Sequence, residues 1–107
     1  MARRQPTSVT YTPRLKEYMA RKGYACIAME LLSPMGATAD STELYTRFVG
    51  RDEADRLKAR GWLVIPGEVG EILLDRGVEY DDEIELGLRS FLGLKDITCK
   101  GIYAFRF

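Results

Sequence analysis

The chain has 107 residues, 46% of them hydrophobic and 30% charged, and its 16 basic and 16 acidic side chains cancel. It contains no histidine and two cysteines, which removes the ordinary proton shuttle near neutral pH and the common nitrogen ligand of zinc, copper and iron. Two thiols also fall short of the four ligands of a structural zinc site or an iron–sulfur cluster within one subunit.

Such a length suits one domain with one core. Balanced total charge gives no whole-chain electrostatic case for nucleic acid or an anionic membrane, so neither is expected as a partner. The charge is nevertheless uneven. Positions 68–85 hold eight acids (Glu68, Glu71, Asp75, Glu79, Asp81, Asp82, Glu83, Glu85) against Arg76 alone, and positions 47–60 hold five bases against three acids. The opening MARRQPTS lacks the apolar run of a signal peptide. No stretch approaches the roughly 20 apolar residues of a membrane span. These features lead to the expectation of a cytoplasmic protein with reduced cysteines.

Residues 1–7, with Arg3, Arg4 and Pro6, read as a mobile leader to a domain over 8–107. Val9 and Tyr11 alternate with polar neighbours and predict a short strand. Thr12 is a suitable N-cap and Pro13 a suitable first helical residue. Leu15, Tyr18 and Met19 then form one stripe, Arg21 and Lys22 suit the negative helix end, and Gly23 stops it. The apolar run Tyr24–Leu32 predicts a buried strand. The ten residues SPMGATADST that follow are turn chemistry, and the loop Ser33–Ser41 is expected to be mobile.

Leu44–Val49 resumes strand-like sequence. Asp52–Arg60 predicts a short helix capped by Asp52, stopped by Gly61 and packed on the edge of the fold through Ala54 and Leu57. Trp62–Ile65 and Glu71–Leu74 form a hairpin-like pair around Pro66, Gly67 and Gly70, a turn rather than a phosphate loop. Asp81-Asp82-Glu83 suggests a carboxylate site, but adjacent strand residues point to opposite faces, which favours a solvated turn before Ile84–Leu88. Phe91-Leu92-Gly93-Leu94 connects this strand to the β-rich run Ile97–Phe107, in which Tyr103, Phe105 and Phe107 alternate. The tally is six or seven short strands, an N-terminal helix and one short inserted helix. That is a sheet-dominated α+β domain, either a small mixed sheet or a partly open barrel or sandwich.

The opening SVTYTPRLKEYMARKGYACIAMEL resembles the helix-then-strand start of HesB-like (IscA-like) proteins, especially the CC/Se-motif branch. The closing DEIELGLRSFLGLKDITCKGIYAF resembles that branch's last two strands with the FLG joint between them, while RFVGR and EVGEILLDRGVEY fit more loosely. The helix over 52–60 is similar to nothing in the family and reads as an insertion. The resemblance implies a loop carrying adjacent cysteines or a selenocysteine–cysteine pair; here that loop reads Ser33 to Asp40 with no thiol. The broader group adds a Cys-Gly-Cys near its C-terminus, where this chain has only Cys99. Met35, Gly36 and Asp40 occupy the motif position, with no role assigned.

The expected function is therefore a non-catalytic domain that has lost the family's cysteine motif, with no cofactor, and with an unknown protein or a homo-oligomer as its partner. Edge strands of a small open sheet would serve such contacts. The alternative is an iron–sulfur or metal carrier using Cys26 and Cys99 across a dimer, although apolar neighbours make Cys26 read as a buried structural thiol. An enzyme working through carboxylates or tyrosines finds no support in their spacing.

Overall fold

The computed structural model describes residues 5–32 and 43–103. Seven strands and two helices follow one another as β1 (Ser8–Tyr11), α1 (Pro13–Lys22), β2 (Cys26–Leu32), β3 (Glu43–Val49), α2 (Arg51–Ala59), β4 (Leu63–Pro66), β5 (Glu71–Leu74), β6 (Glu79–Phe91) and β7 (Leu94–Tyr103). They make two mixed sheets and no closed barrel: three strands in the order β1-β6-β7, and four in the order β3-β2-β5-β4. The sheet-dominated α+β class is as the sequence predicts.

Local chemistry sets the first helix. Thr12 stays extended and its hydroxyl accepts the Leu15 N–H at 3.3 Å, while Gly23 closes the other end at φ 73°. Leu15 and Met19 are fully buried in the core shared by the two sheets, among Ile27, Met29, Ile72, Leu74, Ile84 and Leu86. Tyr18 packs against Phe48 at 5.5 Å between ring centroids, and Tyr24 stacks on Phe48 at 4.6 Å. Arg14 donates to the Ser90 hydroxyl at 3.3 Å. The helix thus bridges β6 of one sheet and β3 of the other.

Strand β2 has a second apolar face. Ile27 and Met29 point into the main core, whereas Cys26 and Ala28 join Val49, Ala54, Leu57, Trp62 and Leu73 in a separate cluster. Helix α2 therefore covers the outer face of the central strands β2 and β5, and does not pack on the edge of the fold as the sequence suggests. Its apolar stripe is thin: Ala54 and Leu57 are its buried residues, and Trp62 beyond its end completes the cover. Gly50, not Asp52, is the N-cap, and its carbonyl accepts the Ala54 N–H at 3.0 Å. Asp52 and Glu53 lie in the first turn, where acids favour the positive helix end.

The acidic triplet also departs from expectation. Asp81, Asp82 and Glu83 form no turn; they lie inside β6, where the ladder with β7 is irregular. Tyr80 opposes Ile102 and Glu85 opposes Lys100, so four residues of β6 face the single Gly101. The shift changes the inward parity of β7 from Ile97 and Cys99 to Ile102, leaving Tyr103 39% exposed. Strand β1 pairs in parallel with this same stretch, Ser8 opposite Glu83 and Tyr11 opposite Leu86. At its start Gln5 Nε2 donates to the Val64 carbonyl at 3.4 Å and the Thr7 hydroxyl to that of Asp82 at 3.1 Å. Among the described residues no helix is long and apolar enough to cross a membrane.

Candidate interaction surface

The two cysteines are placed apart. Cys26, 5% exposed, lies in the cluster under α2 and lines a cavity of about 350 Å³, with the Lys58–Glu71 ion pair (2.5 Å) among its walls. Cys99 lies in the other sheet, opposite Leu86 and packed against the main core. Burial, and behind it the Asp96 carboxylate, pushes the Cys99 thiol up to about 12. A neutral, half-enclosed thiol is a poor nucleophile and a poor metal ligand near neutral pH. Among the described residues no three His, Cys, Asp or Glu side chains stand together as a metal site. Met35, Gly36 and Asp40 lie outside the described residues, as do Arg3 and Arg4.

The feature that the sequence reading passed over is the β6–β7 connection. Phe91 pairs with Leu94, which leaves Leu92 and Gly93 as a two-residue turn at φ 51° and 81°. Both values are positive, as the twist of a tight hairpin requires, and such turns favour Asn-Gly or Asp-Gly. Gly93 adopts this conformation freely. Leucine does so at a cost, and Leu92 is the sole non-glycine residue with positive φ among those described. Nothing in the fold compensates by burial: Leu92 is 87% exposed and Leu94 73%. The turn thus holds an apolar side chain in a strained conformation and in contact with solvent.

Behind the leucines the hairpin is polar. Arg89 pairs with the directly opposite Asp96 at 2.6 Å, and Lys95 donates to the opposite Ser90 hydroxyl at 2.6 Å. Between the hairpin and α1 lies a cavity of about 250 Å³ lined by Arg14, Glu17, Tyr18, Arg21, Leu88 and Lys95. Arg21 and Lys22 both stand over the Tyr18 ring, at 5.7 and 6.0 Å from its centroid. The apolar tip is thus backed by a predominantly basic shoulder. The signal was present in the sequence as two leucines flanking the glycine of a turn, where polar residues are ordinary.

No protein family, curated protein or solved structure that was compared with this chain matches it.

Proposed function

We propose that the chain is a non-catalytic cytoplasmic docking domain of HesB-like (IscA-like) descent, in which the thiol-bearing loop of the CC/Se-motif branch has been lost. The descent rests on the sequence pattern of the two ends of the chain. The docking role rests on one observation: Leu92, at φ 51° and 87% exposed, heads the β6–β7 hairpin. Catalysis finds no comparable constellation among the described residues, where no polar or charged residue is buried.

A photo-activatable side chain at position 92 tests the reading, with the exposed position 60 as the control. Cross-linked adducts in cells from position 92 alone, whether to protein or to lipid, are the expected result. Identical patterns of protein and lipid adducts from both positions would remove the hairpin tip as the docking element.

A further inference from the structure

We propose that the surface docked by this hairpin is an anionic phospholipid layer, the leucines entering its interface while the basic shoulder takes the phosphates. The proposal rests on the docking reading above and names its partner.

Size and charge both favour lipid. The tip presents two exposed leucines, Leu94 bordering an open hollow of about 570 Å³ with Arg89, Lys95 and Asp96. A stable protein contact buries about 800 Å² on each side, far beyond what two leucines supply. A fluid interface receives a small apolar point without a preformed pocket. The bases lie close to the point: Lys95 follows Leu94 in the chain, Lys95 and Arg14 both donate to the Ser90 hydroxyl, and Arg21 lines the same cavity. Among the described residues Glu17 is the sole acid lining that cavity, and Arg89 pairs with Asp96. Attraction of Lys and Arg to an anionic leaflet adds to the insertion of apolar side chains. A second copy docked tip to tip would set these bases against one another. The balanced total charge that argues against a membrane at the level of composition hides this separation: the first half of β6 carries Glu79, Asp81, Asp82, Glu83 and Glu85, and its second half carries only Arg89.

The test is co-sedimentation of the full chain with vesicles of phosphatidylcholine alone, or with about one-third phosphatidylserine. The parent should bind the anionic vesicles, bind the neutral ones far less, and lose most of its binding as salt is raised to about 0.5 M. Leu92→Asn with Leu94→Thr should weaken binding about tenfold or more. Arg14→Gln, Arg21→Gln and Lys95→Gln together should weaken it to a similar degree. Both sets change exposed side chains, and an unaltered circular dichroism spectrum checks that the fold is kept. Three results would overturn the proposal: no binding to anionic vesicles at low salt, binding that ignores the leucines, or leucine-dependent oligomers without vesicles. A fourth is stabilisation by inorganic phosphate beyond that given by chloride at equal ionic strength, which would assign the basic cavity to a soluble anion. Should vesicles fail while position 92 still cross-links to a protein, the lipid assignment falls and the docking reading stands.

Discussion

The Tyr11 hydroxyl presses against the backbone of Gly67: a Cβ placed there would lie 2.1 Å from the oxygen. That hydroxyl is buried and, among the described residues, has no hydrogen-bond partner, although the Tyr11 N–H donates to Glu68 Oε1 at 2.5 Å. Removing an unsatisfied buried group relieves a desolvation penalty. Tyr11→Phe is therefore expected to be neutral or stabilising by up to about 1 kcal/mol. Gly67→Ala should cost about 1–3 kcal/mol through overpacking. The double variant would still clash with the ring. Urea titration of the three variants checks the order, and a destabilised Tyr11→Phe would mean that the hydroxyl is satisfied.

The turn makes an opposite pair of demands. Leu92→Asn should raise stability by about 0.5–1 kcal/mol, because asparagine tolerates the left-handed conformation better than leucine. A loss in thermal or urea unfolding would show that Leu92 packs on the fold.

Stability should fall at alkaline pH. The folded Cys99 thiol holds its proton to about 12 and burial raises the Tyr11 phenol well above its ordinary value, with smaller contributions from Cys26 and Glu68. In the unfolded chain both groups release protons earlier. Unfolding above about pH 9 therefore releases protons, and the stabilisation present below that pH is lost as pH rises. Cys99→Ala and Tyr11→Phe should each flatten the decline, read as the unfolding midpoint between about pH 8 and pH 11.

Leu15, like Met19, joins α1 to the core at 0% exposure. Leu15→Ala should cost about 2–5 kcal/mol. A change within error in urea unfolding would make the helix peripheral.

The separation of Cys26 and Cys99 into different sheets and different clusters leads to a further expectation. Protein purified without air should hold no stoichiometric iron or zinc. Iron that is present in the parent and absent from Cys26→Ser/Cys99→Ser would establish the carrier alternative.

What the sequence made legible was local. Thr12, Pro13 and Gly23 bracket α1 because caps act on neighbouring backbone groups. The runs around Ile27 and Ile72 read as strands because both of their faces are apolar. The partition into two sheets was not legible, since the pairing of Val9 with Ile84 joins segments that share no local signal. Helix α2 was misplaced because Ala54 and Leu57 look like a poor apolar face until the small Cys26 and Ala28 are seen beneath it. The acids at 81–83 read as a turn because charge in a row is usually solvated loop, whereas here the irregular ladder opposite Gly101 accommodates them within a strand. Phe91-Leu92-Gly93-Leu94 reads as a connection, although a leucine beside the glycine of a tight turn is its own clue.

The distribution of charge along β6 has a consequence for how this molecule travels. A chain with sixteen charges of each sign has no net pull toward an electrode, yet the acids in the first half of β6 and the bases around its second half separate charge along one strand. In the field near a charged boundary separated charge of this kind contributes a torque without a net force. The strand's own contribution turns the hairpin toward a negative surface, so that orientation, rather than attraction, is what this separation supplies to an encounter.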